Sequence, residues 1–475
     1  MQPGSSSNRL DGRTAPPFGV HPGLLTDLYH PDAAYISWVA GRNGVATFDV
    51  YTRRAPFGGA YLLVAGVEQA IEFARDFHYS AADLAYLAQI RNYDPAFLEE
   101  LGRLRFSGEI LAMPEGSIAF PNEPLLRVTA PFREALLIES GLLNAINLAT
   151  LIATKAARVV YAAQGRRVAE FSFRRAQEPF VVARSSFIGG CSSTSFLAAA
   201  YRYRLLASGT IPHALVQLFD DEGSAFAAAA QTFNRYTLLL DTYDVRRAIH
   251  TAVEVAKEYR QTLGHTLAAV RLDGGDLLGD SRYVRETLDA AGLSDVRVVA
   301  SGDLDEFVIA ELVEAGAPID AFGVGTSLGV GAGSLAHEVE GGALGGIYKL
   351  VSYLDGAGIE QPRAKRAGEK STWPGRKEVY RLGSFREDLV ALASEPLPED
   401  GVRLLRPVIR QGAVLPGSLP PLSEIWEAAQ QNLRALPEPF RHLKSEHIYP
   451  VRFSPALRQL RAELFGEAAS DDASR

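Results

Sequence analysis

Five short polar clusters, each closing an apolar run, hold the residue types from which anion chemistry can be built. Arg174 and Arg175 follow the run 168–171, Asp241 and Asp244 follow 237–240, and Arg271 with Asp273 close 267–272. Ser301, Gly302 and Asp303 follow 296–300, and Gly323, Gly325 and Thr326 close 321–324. A guanidinium fork matches the two oxygens of a carboxylate or a phosphate. Neighbouring carboxylates accept hydroxyl hydrogen bonds and hold Mg2+ directly or through water. Small residues where a strand turns into a helix let backbone N–H groups cradle a phosphate. Each cluster also has a plain reading: a surface ion pair for Arg174, a helix N-cap for Asp244, ordinary turn residues for the glycines. His213 stands alone, and a lone histidine is more often structural or solvent-exposed than functional.

Elements that could position these clusters follow from the pattern around them. Residues 44–54 alternate like a strand, 61–77 repeat apolar residues at helical spacing, and Ser80 with Asp83 forms a capping box opening a further helix. Residues 106–128 suggest small β elements, and 131–164 one or two long helices. From about residue 168 the rhythm changes. Short β-type runs alternate with helical patterns over 245–263, 281–291 and 304–315, the last two followed by Gly292 and Gly316 as C-caps. Successive strand ends lie on the order of 30 residues apart, the length of a βα unit. Catalytic groups of a β/α barrel sit at the C-terminal ends of its parallel strands, which is where the clusters fall.

The expected architecture is therefore α/β: an irregular TIM-like β/α barrel, with a second α+β domain built from the N- and C-terminal segments. Expected divisions are a flexible tail at 1–22, an N-terminal α+β domain at 23–135 and a catalytic barrel at 136–345. A C-terminal segment, 346–475, would pack on the N-terminal domain. It opens with the apolar IYKLVSYL at 347–354 and a Lys/Arg/Gly-rich loop, continues through a strand at 377–382 and helical pieces at 422–436 and 455–465, and ends in a disordered SDDASR.

Composition narrows the function classes. The chain has 475 residues, 47% of them hydrophobic, enough for one large or two medium domains with a core. One cysteine, Cys191, excludes an internal disulfide and a cysteine zinc cluster. A formal net charge of −8 argues against nucleic acid as a partner. The most apolar stretch, 134–157, is interrupted by Glu139, Asn144, Asn147 and Lys155, so it reads as a buried helix rather than a membrane span. A soluble, cytoplasmic protein is expected.

Taken in order, the motifs resemble the nicotinate phosphoribosyltransferase family over roughly residues 23–385. They begin with Thr26-Asp27-Leu28-Tyr29, Thr154-Lys155-Ala156-Ala157-Arg158, Phe171-Ser172-Phe173-Arg174-Arg175-Ala176-Gln177 and Gly189-Gly190-Cys191. They continue with Gly209-Thr210-Ile211-Pro212-His213, Asp241-Thr242-Tyr243-Asp244 and Arg271-Leu272-Asp273-Gly274-Gly275-Asp276. Ser301-Gly302-Asp303, Phe322-Gly323-Val324-Gly325-Thr326, Tyr348-Lys349-Leu350 and Pro374-Gly375-Arg376-Lys377 complete the series. Any one of these is weak, whereas eleven in order with matching spacing are specific.

The resemblance implies an ATP-coupled enzyme that joins nicotinate to phosphoribosyl pyrophosphate, giving nicotinate mononucleotide and pyrophosphate. It implies that Arg174 binds the nicotinate and phosphate region, that Phe171 stacks on the pyridine ring, and that Tyr29 of a second subunit covers the ring's other face. The active site would then belong to a homodimer. It further implies that ATP phosphorylates His213, that Asp241 and Asp273 hold ribose hydroxyls and Mg2+, and that Arg271 binds pyrophosphate. Ser301, Gly302, Asp303, Gly323, Gly325 and Thr326 would take the 5′-phosphate. Three positions depart from the family pattern: Ser172 and Glu178 stand for Gly, and Gly274 for Ser.

The nearest rival, nicotinamide phosphoribosyltransferase, has an Asp near the ring where this chain offers Ser192, Ser193 and Thr194. Neutral side chains tolerate a substrate carboxylate that Asp would repel, so Thr194 is expected to favour nicotinate. Quinolinate phosphoribosyltransferases resemble the chain less, being much shorter and without the histidine motif. A barrel kept as a non-catalytic binding protein would have lost the strand-end cluster, which is intact here. A Schiff-base aldolase would need a strand lysine, and these strands have none.

Overall fold

The computed structural model describes residues 22–368 and 370–467. The expected N-terminal tail up to residue 21 and the terminal SDDASR lie outside the described residues. The chain forms two compact units, one from Met1–Thr154 with Ala343–Arg475 and the other from Lys155–Gly342. The first division falls inside the long helix Glu139–Ala162 rather than before it at residue 136.

The first unit combines N- and C-terminal segments in one antiparallel sheet of seven strands. At its centre Val45–Thr52 pairs with Gly346–Leu354 on one side and Leu126–Pro131 on the other. The strand is buried along nearly its whole length, which suits its run of Val, Phe and Tyr. Phe48, Ile71, Phe77, Phe97, Leu142 and Ile146 meet in the core beside it. The buried Lys377 ion-pairs with Asp49 at 2.9 Å and donates to the carbonyls of Trp373 and Gly375. The Pro374–Lys377 motif is thus fastened inside this unit, where a buried charge demands partners on every side.

Local signals here hold up with one exception. Ser80 and Asp83 make the reciprocal capping box that starts the helix Ala81–Ile90. Residues 61–77, expected to be one helix, divide into the strand Leu62–Leu63 and the helix Val67–Asp76. Between them Gly66 takes a φ of +89°, and a Cβ there would lie 2.4 Å from the carbonyl oxygen of Ala145. Only glycine fits that close approach.

The second unit is built on six strands, all paired in parallel. Their order is Ser193–Thr194, Arg167–Glu170, Ala321–Val324, Arg297–Ser301, Thr266–Asp273 and Arg235–Leu239. Between the last four in chain order run the helices Val245–Thr262, Leu277–Ala290 and Glu306–Glu314. The α/β class and the parallel arrangement are those expected. Closure into a ring is not among the strand pairings of the described residues, where Ser193–Thr194 and Arg235–Leu239 are the two edges. Because the strands are parallel, their C-terminal ends all fall on one side of the sheet.

Candidate active site

At those C-terminal ends lies a cleft of about 170 Å³, lined by Phe171, Arg174, Arg175, Arg271, Asp273, Ser301, Gly302, Asp303, Gly323, Gly325 and Thr326. Four different strands contribute to it. A larger hollow of about 490 Å³ opens elsewhere in this unit, between Gln164–Arg166, Arg285 and Ala317–Asp320. It lies at the opposite ends of the strands, away from every residue singled out for chemistry.

The loop after the strand Arg167–Glu170 brings the aromatic ring and the free cations. The backbone N–H of Phe171 donates to the carbonyl of Val324 at 2.8 Å, tying the loop to the neighbouring strand. A Cβ on Gly323 would stand 2.5 Å from the Phe171 ring, so the absent side chain is what seats the ring. Ser172 closes a turn by accepting from the N–H groups of Arg175 and Ala176 at 2.7 and 2.9 Å. Arg174 and Arg175 emerge from it into solvent, and among the described residues neither guanidinium has a hydrogen bond or ion pair. Two unpaired cations and an aromatic ring lining one cleft suit a planar anion.

On the next strands the charges are arranged rather than free. Arg271 donates to Ser301 Oγ at 2.8 Å and Thr210 Oγ1 at 2.5 Å, and pairs with Asp273 at 2.6 Å. Asp273 also accepts from Ser301 at 2.7 Å and faces His213 Nε2 at 3.5 Å. Burial pushes the Asp273 carboxyl upward, but hydrogen bonds from Ser301 and Arg271 and the charges of Arg271 and His213 outweigh it, holding it below the usual carboxylate range. His213 opens the short helix His213–Leu218, and its Nδ1 contacts Thr242 Oγ1 at 3.1 Å.

Asp241 joins this group through Oδ2, which accepts from the backbone N–H of Asp273 at 2.9 Å, while its buried Oδ1 has no partner. An orphaned carboxylate oxygen beside a phosphate-sized cleft fits Mg2+, which takes one or two carboxylates and fills its shell with substrate oxygens and water. Asp273 is a poorer ligand, since Arg271 and Ser301 occupy its oxygens. Among the described residues no three His, Cys, Asp or Glu side chains converge as a protein-only metal cage. Asp244 accepts from the N–H of Arg247 at 2.8 Å and so is the N-cap of Val245–Thr262.

Backbone geometry shapes the phosphate side. Gly302 has a φ of +91° and Asp303 of +46°. A Cβ on Gly302 would sit 2.8 Å from the Asp273 backbone, so glycine alone allows the two strand ends to meet. The first N–H groups of the helix Glu306–Glu314 are capped by Asp305 at 2.9 Å, which leaves the 301–303 loop itself as the candidate cradle. Gly274 has a φ of +122°, a conformation costly for serine.

Four expected residues are not among those lining the cleft: His213 and Asp241, which adjoin it through Asp273, and Thr194 and Tyr29, which do not. Thr194 is fully buried and its hydroxyl donates to Glu170. Tyr29 belongs to the other unit, at the start of the helix Tyr29–Val39, where its side chain is exposed and its ring lies 4.0 Å from that of His30. Sequence reasoning overlooked Glu170 and quoted Thr210 within a motif without giving it a role. Only an acid at the end of an apolar strand could have signalled Glu170. Cys191 is buried, and burial and the nearby Glu170 push its thiol far upward.

Comparison with known proteins gives a consistent picture. Family models described as the nicotinate phosphoribosyltransferase N-terminal domain and C-terminal domain match residues 24–147 and 398–461. Nicotinate phosphoribosyltransferase pncB2 of Mycobacterium tuberculosis is 40% identical over 438 residues, covering 91% of each chain. The Bacillus subtilis nicotinate phosphoribosyltransferase is 38% identical over 465 residues, covering 91% of this chain and 92% of that one. The crystal structure of human nicotinic acid phosphoribosyltransferase superposes with a TM-score of 0.79 at 31% identity, covering 93% of this chain and all of the other.

Proposed function

The chain belongs to the nicotinate phosphoribosyltransferase family, and we infer that its cleft joins nicotinate to phosphoribosyl pyrophosphate, giving nicotinate mononucleotide and pyrophosphate. The observation that carries this reading is the convergence, at parallel strand ends, of unpaired Arg174 and Arg175, the Phe171 ring, the Arg271–Asp273 pair and the 301–303 loop. The parallel sheet that carries them is read as the core of an irregular β/α barrel.

The chemistry follows from what each group can hold. Arg174 takes the nicotinate carboxylate through its fork, and Phe171 lies against the pyridine ring, orienting the ring nitrogen toward C1′ of the ribose. As the C1′–O bond breaks, the sugar passes through an oxocarbenium-like state and negative charge grows on the leaving pyrophosphate. Arg271, fixed by Thr210, Ser301 and Asp273, stabilises that charge without reorganising. The 301–303 loop, with Gly323, Gly325 and Thr326, receives the 5′-phosphate. Asp241 would hold Mg2+ through Oδ1, with Asp273 acting through water, and the ion would neutralise pyrophosphate.

ATP coupling is proposed to run through His213. Its position 3.5 Å from Asp273 and beside Thr242 supports a phosphohistidine facing the same cleft. A homodimer is proposed in which Tyr29 completes the partner's ring site. Apolar side chains left exposed in each unit, Tyr29, Ile36 and Val39 in one and Leu197, Tyr201 and Leu218 in the other, support a subunit interface. Among the described residues no helix is long and apolar enough to cross a membrane. We place the enzyme in the cytoplasm.

The test is product formation with phosphoribosyl pyrophosphate, Mg2+ and nicotinate, nicotinamide or quinolinate, each with and without ATP. Nicotinate mononucleotide from nicotinate alone, formed faster with ATP, is the expected result. A nicotinamide product would overturn the assignment of substrate.

A further inference from the structure

We propose that Glu170 is the positioning residue of the nicotinate side of the cleft: a buried carboxylate that clamps Ser172 and Thr194 and thereby fixes Phe171 and Arg174. The inference rests on reading the cleft as a nicotinate site and adds to it a residue that touches no substrate.

Glu170 ends its strand with only 1% of its surface exposed. A carboxylate so placed is tolerated only when donors surround it. It has three. The backbone N–H of Ser172 and its hydroxyl, the latter at 2.5 Å, donate to one oxygen, and the Thr194 hydroxyl donates to the other. Phe171 is the residue between Glu170 and the Ser172 it holds.

The clamp adds a side-chain tie to strands already paired through the backbone, where the N–H groups of Ser192 and Ser195 donate to the carbonyls of Val168 and Glu170 at 2.8 and 2.9 Å. Glu170 and Thr194 are register partners on neighbouring parallel strands, and Thr194 Oγ1 also accepts from the N–H of Phe196 at 3.0 Å. Strand Ser193–Thr194 has only two residues, and the Glu170 carboxylate is the side-chain tie between it and the loop that carries Phe171. On the other flank Ser172 fits because position 329 is glycine. A Cβ on Gly329 would lie 2.2 Å from the Ser172 Cβ and 2.5 Å from its Oγ.

The family departure at Ser172 thus acquires a role, since its hydroxyl is a donor that glycine lacks. Ser172 also caps the turn from which Arg174 and Arg175 project. Movement of Glu170 would shift the ring seat and the arginine fork together. The Arg271–Asp273–Ser301 group, on other strands, would stay in place.

The experiment compares the whole enzyme with Glu170→Ala, Glu170→Gln and Thr194→Val, measuring KM for nicotinate and for phosphoribosyl pyrophosphate separately, with thermal midpoints alongside. Glu170→Ala should raise KM for nicotinate roughly tenfold or more, the size of losing hydrogen bonds to a charged group, with KM for phosphoribosyl pyrophosphate within about twofold. Glu170→Gln should recover most of that loss, because its carbonyl can still accept from Ser172 and its amide can donate to the Thr194 hydroxyl. Thr194→Val, nearly isosteric, should raise KM for nicotinate by a few-fold even where the alanine variant does not fold.

Equal losses for both substrates that track the thermal midpoint would mean a merely structural carboxylate and overturn the proposal. So would an unchanged KM for nicotinate in the variants that fold. Nicotinate binding to each protein, followed by calorimetry, separates the two readings. Wild type that neither binds nor turns over nicotinate fails both. Wild type that does both, with variants that bind equally well, fails only the clamp.

Discussion

The two ends of the parallel sheet carry similar side chains in opposite states. At the N-terminal end, Arg166 donates to the carbonyls of Ile319 and Ala163, while Arg285 donates to those of Val296 and Leu293 and pairs with Asp289. Asp320 there accepts from the N–H of Val298 at 2.7 Å. At the C-terminal end, Arg174 and Arg175 are unpaired, and Asp241 keeps one buried oxygen without a partner. The satisfied end encloses the larger hollow, about 490 Å³ against 170 Å³. Volume alone would select the wrong end. Polar groups left without protein partners mark the end where a ligand must supply them.

That contrast is sharpest for arginine. Arg174→Ala is expected to cost about 3 kcal/mol of nicotinate binding, roughly a hundredfold in kcat/KM, through loss of a charge-assisted pair. Its counterpart Arg166→Ala should leave kcat/KM within about twofold. Steady-state kinetics on both variants would break the comparison if the losses were alike.

His213→Ala should next remove stimulation by ATP while sparing a basal rate, read as product formed with and without ATP. Stimulation equal to wild type would remove His213 from the coupling. At the other end, Arg166→Ala should lower the thermal midpoint by roughly 1–2 °C, the effect of about one hydrogen bond in a chain of this size.

The smallest effect concerns pH. Because the folded-state pKa of Asp273 lies below its ordinary value of 3.8, the stability it contributes is present above that value. It is lost as pH falls below 3.8 through the lower folded value. Thermal unfolding of wild type and Asp273→Asn should therefore differ by a constant amount from neutral pH down to about 4 and converge below it. A difference that instead vanished between pH 7 and 5 would assign the contribution to another group.

Much of this contrast could be read from sequence, and the rest had physical reasons for staying hidden. The strand Ala321–Val324 and the helix Pro455–Phe465 agree with the pattern to the residue, because turn glycines or an N-terminal Ser-Pro bound them. Clusters at strand ends stood out because polar residues there interrupt apolar runs. Ser193–Thr194 was missed because two residues carry no periodicity. The strand Leu62–Leu63 was absorbed into a helix because its apolar pair suits either period. Which carboxylates are engaged could be read only for Asp244, whose spacing already offered a helix N-cap. Asp241 and Asp273 are the same residue type at similar places, and only their three-dimensional partners separate a metal candidate from an arginine partner.

The buried Cys191 has a practical consequence. It is the sole cysteine of the chain, and its thiol is both inaccessible and held protonated. The unaltered protein is therefore a blank background for thiol labelling. A cysteine introduced by Tyr29→Cys, at a site 57% exposed, would be the one group open to a maleimide fluorophore or spin label. Energy transfer or dipolar spectra between two labelled copies could then follow assembly without removing any native thiol.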